Sequence, residues 1–159
     1  RTGLVDNAEV VRQPAHRMPF EIIPEDLGVQ VRYHGHITEA EALRSVEIVT
    51  SDPRFDVARY RINNLLDVSG FDFSDEGMEH IAAISYGGAT ARQRRGVRVH
   101  IAQVTTDPRL IAILDRYAAS GLIPYRFGTF PSLEAARAWL RDEGLAPAHD
   151  AADPGASPA

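Results

Sequence analysis

The side chains with chemistry to offer are six histidines, a large set of arginines and a stretch of mixed hydroxyl and carboxyl groups. His34-Gly35-His36 puts two imidazoles on one face of an extended strand, because alternate strand residues share a face. That spacing can share a metal ion, with His100 as a third donor, but a zinc site needs three or four ligands and no clear fourth is present. We therefore expect no metal, and read His34, His36 and His100 as surface groups. The same three could act as a general base near neutral pH, yet no nucleophile or orienting carboxylate stands beside them. Arg92-Gln93-Arg94-Arg95 is a compact cationic cluster. Guanidinium forks match phosphate or carboxylate, so Arg92, Arg94 and Arg95 form a candidate anion patch. The alternative is a solvated loop opposite an acidic partner. No aromatics interleave with them, which argues against single-stranded nucleic acid. Ser85-Tyr86-Gly87-Gly88 is neither a nucleophile elbow nor a dinucleotide fingerprint, and is expected to end or break a helix. Asp75, Glu76 and Glu79 crowd a helix start, where carboxylates complement the helix dipole. No constellation is specific enough to indicate an enzyme, and no cofactor is expected.

Composition removes further classes. The 159-residue chain contains no Cys, so disulfides and thiolate chemistry are excluded. All 17 basic residues are Arg, which excludes a lysine Schiff base and a phosphate-binding loop of the usual form. A net charge of −5 argues against general affinity for nucleic acid or anionic membrane. There is no apolar run of membrane-spanning length and no signal-peptide pattern, so the cytoplasm is the expected compartment.

These side chains need elements to position them. Met18 directly precedes the first strand-like run, so 1–17 is expected to be a disordered leader or to lie before the true start. The folded domain is expected over 18–145. The Ala/Pro/Asp-rich stretch 146–159 reads as a disordered tail. Inside the domain, Phe20–Ile23 and Val29–His36 read as strands joined by a short turn, hence an antiparallel hairpin. Thr38 and Glu41 form a capping-box pattern before a helix running to about Val49. A third strand is expected over Ala58–Leu66, a loop from Asp67 to Ser74, and a second helix over roughly Asp75–Ser85, with Arg92 as the alternative end. Gly96–Val104 reads as a fourth strand. Asp107-Pro108 starts a third helix and Gly121 ends it. Tyr125–Phe130 is a fifth strand, and Ser132 caps a last helix closed by Gly144. The order ββαβαβαβα predicts an α/β fold: a mostly parallel five-stranded sheet with an antiparallel first hairpin.

The strands alternate apolar and polar residues, unlike parallel strands buried on both faces. We therefore expect helices mainly on one face. The other face should carry Arg32, His34, His36, Arg59, Arg61, Arg98, His100 and Arg126. No acidic residue alternates into it, so it reads as a basic interface for a partner, a second copy, an anionic ligand or the chain's own acidic tail, or else as a solvated face.

Between the third strand and the second helix lies Leu66-Asp67-Val68-Ser69-Gly70-Phe71-Asp72-Phe73. This resembles the loop segment of STAS domains of the SpoIIAA anti-sigma-factor antagonist type. Gly35-His36-Ile37-Thr38 before an acidic helix, Val97–Val104 leading into Asp107-Pro108, and Arg126–Phe130 leading into Ala135-Ala136-Arg137-Ala138-Trp139-Leu140 resemble the SpoIIAA-like, STAS/SEC14-related small bacterial proteins. The resemblance spans about Phe20–Leu140. It implies a binding role in place of catalysis, and a regulatory segment formed here by Asp67, Ser69, Asp72, Ser74, Asp75 and Glu76. Classical members are switched by phosphorylation of a Ser after an Asp. Here Ser74 precedes Asp75, and Asp75 or Glu76 occupies the expected Ser position.

The leading expectation is a non-enzymatic STAS-like interaction domain, self-associating (a homodimer, for instance) or regulated by a protein partner. The alternative is a carrier or sensor of a small apolar, lipid-like or anionic ligand, with a pocket under the second and third helices lined by Met78, Ile81, Tyr86, Tyr117 and Trp139. The third is a hydrolase using a histidine base.

Overall fold

The computed structural model describes residues 18–121 and 123–145. The expected leader 1–17 and tail 146–159 lie outside them. Two strands, β1 (Phe20–Pro24) and β2 (Gly28–Thr38), lead into α1 (Glu39–Ser51). Then follow a 3-10 turn at Pro53–Phe55, β3 (Tyr60–Asp72), α2 (Asp75–Arg94), β4 (His100–Val104), α3 (Pro108–Ala119), β5 (Arg126–Phe130) and α4 (Leu133–Asp142). The sheet order is β1-β2-β3-β4-β5. β1 and β2 are antiparallel and every other pair is parallel. Each crossover from β2 to β5 steps one strand in the same direction, so right-handed connections lay α1, α2 and α3 on one face. Only α4, which follows the last strand, reaches the opposite face, where Ala136 and Leu140 pack on Tyr60, Ile62, Ala102 and Val104.

The helix starts follow local chemistry. Thr38 accepts from the Glu41 amide while the Glu41 carboxylate reaches back to Thr38, so two orphan donors are satisfied reciprocally. Ser74, Asp107 and Ser132 accept from backbone amides in the first turns of α2, α3 and α4. Gly121 and Gly144, with φ of 71° and 81°, follow the last turns of α3 and α4.

Four expectations need correction. The stretch Asp67–Asp72, read as loop, is strand: β2 is long enough to offer a parallel edge as far as Thr38, and the register absorbs shifts between Arg32 and His34 and between Gly35 and His36. The second helix runs through Gly87 and Gly88 to Arg94, because packing of α2 on α1 overrides two residues of poor propensity. The fourth strand starts at His100 instead of Gly96. Finally, the face opposite α1–α3 is not open, since α4 covers its centre.

Candidate cavity beneath the helices

Strand alternation places Arg61, Asn63 and Leu65 of β3 on the face beneath α1–α3, with Tyr33 of β2 and Ile101 and Gln103 of β4 beside them. Together with the three helices they line a cavity of about 110 Å³. Its roof is apolar: Ala42 and Val46 from α1, Met78 and Ile81 from α2, Leu110 and Ile113 from α3. One end is lined by Phe71, on the part of β3 that outruns β4, and Phe73 just past it, stacked at 5.3 Å, with the Arg109 guanidinium over Phe71.

The floor is polar and buried. The Arg61 Nε donates to Asn63 Oδ1 at 2.6 Å and its Nη2 to the Tyr33 hydroxyl at 3.1 Å. Tyr33 in turn shares a 2.6 Å hydrogen bond with Ser45 Oγ, whose proton is within reach of the Ala42 carbonyl. Across the cavity the Tyr117 and Tyr125 hydroxyls lie 2.7 Å apart. Burial pushes both phenols above the usual tyrosine range, so they stay neutral hydrogen-bonding groups at neutral pH.

Beside the cavity, a groove of about 650 Å³ separates α2 from α3. Met78, Ile113 and Tyr117 line both spaces, so the groove adjoins the cavity. Asp75 and Glu79 on α2 face Arg116 on α3 across it.

The residues expected on one basic face do not share it. Arg61 is on the helix-covered side, 7% exposed, because Tyr60 and Ile62 face α4 and the alternation of β3 is thereby fixed in the opposite phase. His100 is buried under α4, with its Nε2 3.2 Å from Glu143 and its ring beside Trp139. His34 pairs in register with Asp67, whereas His100 pairs with Tyr60, about 20 Å back along the strand at ~3.3 Å per residue. The structure therefore does not bring His100 to His34 and His36. Arg59 and Arg98 are exposed.

Local compensation, expected to be missing, is present. Arg32 pairs with Asp67 at 2.7 Å, His36 with Asp72 at 2.7 Å and Arg126 with Glu143 at 2.5 Å. Two of these carboxylates sit on the segment read as loop, and the third follows the last helix. The Arg32 guanidinium is held above its usual range by the Asp67 hydrogen bond and charge.

Of the arginine cluster, Arg92 is half-buried and donates to the Val49 carbonyl at 3.3 Å, Arg95 pairs with Asp56 at 3.2 Å, and Arg94 is exposed. Among the regulatory candidates, Asp67 is ion-paired with Arg32, Asp72 is hydrogen-bonded to His36, and Ser69, Asp75 and Glu76 are exposed. Ser74 Oγ donates to Glu39 at 2.8 Å and accepts from the Gly77 amide. The Glu39 carboxyl is held below its usual range, first by the Ser74 backbone N–H and then by its hydroxyl.

Met78, Ile81 and Tyr117 line the cavity as expected, and Tyr86 is exposed in the groove. Trp139 is a correction: it packs with Phe130 and His100 on the α4 side. Sequence reasoning missed Tyr33, Asn63 and Tyr125. The available signal was the Tyr-Arg-Ile-Asn-Asn run opening β3, in which polar residues alternate inside a strand.

No family model and no curated protein matches the chain. Solved structures do. An uncharacterized DUF3478-family protein from Shewanella loihica PV-4, described as having a SpoIIAA-like fold, is 12% identical and covers 76% of this chain and 91% of its own, with a TM-score of 0.50. The chain has a SpoIIAA-like fold. The anti-sigma factor antagonist SpoIIAA in its unphosphorylated form is similar at 12% identity, 79% and 99% coverage and a TM-score of 0.49. The Bacillus cell fate determinant SpoIIAA in the phosphorylated form gives 15%, 77%, 99% and 0.48.

Proposed function

We propose that this SpoIIAA-like domain is a non-catalytic binding module that takes up a small molecule between its sheet and α1–α3. The observation that carries this reading is the cavity: an apolar roof, a polar floor and a groove adjoining it. Ligand sites have this composition, with a few placed polar groups in a mostly apolar lining. The size sets the scale of the occupant. An apolar cavity of about 150 Å³ accepts benzene, so a space of about 110 Å³ takes a short alkyl chain or part of a small ring, with the rest of the ligand toward the groove.

A phosphorylation-switched interaction domain has less support. Ser74 is engaged as the cap of α2, and a phosphate there would meet Glu39, Asp75 and Glu76.

The test is a ¹H–¹⁵N titration of the chain with benzyl alcohol. Saturable shifts at Ile81, Ile113 and Tyr117, lost when Ile113→Trp fills the passage, are the expected result. Shifts that stay linear in concentration, or that scatter over the surface, would remove the reading.

A further inference from the structure

Among the described residues two arginines are buried, and they are treated differently. Arg137 on α4 pairs with Glu25 at 2.8 Å, and both side chains are under 10% exposed. Arg61 has no such partner: its Nε and Nη2 are held by the neutral oxygens of Asn63 and Tyr33, and among the described residues no carboxylate pairs with it. A guanidinium does not give up its proton in a protein, so this charge persists inside the cavity. Its effect reaches the neighbours. The Arg92 guanidinium is pushed down by burial and by the charges of Arg61 and Arg95, with Asp56 acting the other way.

Buried charges are ordinarily paired. Among the described residues no counter-charge is present, and the guanidinium lines the cavity beneath the helices. The tyrosine pair adds a donor: Tyr117 and Tyr125 have two hydroxyl protons and one mutual hydrogen bond, so one proton is free for a ligand.

We propose that the cavity takes a compact organic acid, an apolar ring or short chain with a single carboxylate seated on Arg61. This rests on the cavity being the ligand site. The carboxylate would supply the missing charge, accept the fork of Arg61 and the free tyrosine proton, and leave the apolar body against Val46, Ile81 and Ile113.

The experiment is isothermal titration of the unmodified chain at pH 7 with phenylacetate and with its neutral isostere phenylacetamide. Phenylacetate binding at least tenfold more tightly is the expected result. Arg61→Gln should bring the two within about threefold of each other. The wild-type comparison decides the matter even if that variant fails to fold. Equal affinity for acid and amide would overturn the carboxylate assignment while leaving the cavity reading standing. No heat of binding from either, together with no response to benzyl alcohol, would overturn both.

Discussion

Glu143 shows how much a single side chain can tie together. It lies just past the last turn of α4, accepts from Arg126 on β5 and contacts His100 on β4. The Arg126 hydrogen bond, and then that of His100, hold its carboxyl below the usual glutamate range. A folded-state value below the unfolded one of about 4.3 means that Glu143 contributes stability above that pH, and that this is lost as pH falls through the folded value. The urea midpoint should fall as pH drops below about 4. Glu143→Gln should lower the midpoint at pH 7 and flatten part of that acid limb. The limb should not vanish, since Glu39, Asp52 and Asp107 are depressed in the same direction by their own hydrogen bonds. An acid limb of unchanged slope in the variant would show that Glu143 does not couple.

Among the elements, α2 departs most from local propensity. Two consecutive glycines in a helix weaken it by roughly 1 kcal/mol each relative to Ala. They differ in surroundings. A Cβ at Gly87 would meet open space, while one at Gly88 would approach Thr50 Cγ2 of α1 to 2.9 Å. Gly88 thus permits the close crossing of α1 and α2 that carries the helix past the sequence's apparent stop. Gly87→Ala should stabilise by up to about 1 kcal/mol in urea denaturation. Gly88→Ala should lose that gain or reverse it, because Thr50 must move. Equal gains at both positions would mean that the helix contact is loose. The extension of β3 is the other departure. It places Val68 and Phe71 around the cavity while giving Arg32 and His36 their aspartate partners, so one unexpected strand segment shapes both faces.

At the scale of the molecule, the two sides of the sheet are built differently. The α4 side is filled: Tyr60, Ile62, Ala102, Val104, Ala136 and Leu140 form a closed cluster, and Arg137 ties α4 to Glu25 of the β1–β2 turn and to Gln30 of β2. Glu25 also accepts from the Tyr60 hydroxyl. Removing one member leaves the other charge buried, at about 3–5 kcal/mol. Arg137→Met should therefore cost that much in equilibrium unfolding, and the double variant Arg137→Met/Glu25→Leu should recover most of it. A loss below about 1 kcal/mol in the single variant would place the pair in the class of exposed ion pairs instead. The side beneath α1–α3 is left with a space and an uncompensated charge, and that contrast supports reading it as the functional side.

The order of elements, the antiparallel hairpin, the parallel remainder and the four helix starts were determined by the sequence alone. Each rests on local chemistry: Thr38 with Glu41, Ser74, Asp107 with Pro108, and Ser132 bond to backbone groups within a few residues. Alternation along β3 also showed that Arg61 and Asn63 share a face opposite to Tyr60 and Ile62. Which of those faces lies under three helices could not be read locally, because Tyr60 and Ile62 are apolar enough to suit either layer. Docking of α4 decided it, and with it the placement of Arg61 inside the molecule. The cavity, the pairing of Arg137 with Glu25, and the meeting of Tyr117 with Tyr125 are likewise products of tertiary packing, since each joins residues whose proximity only the folded sheet creates.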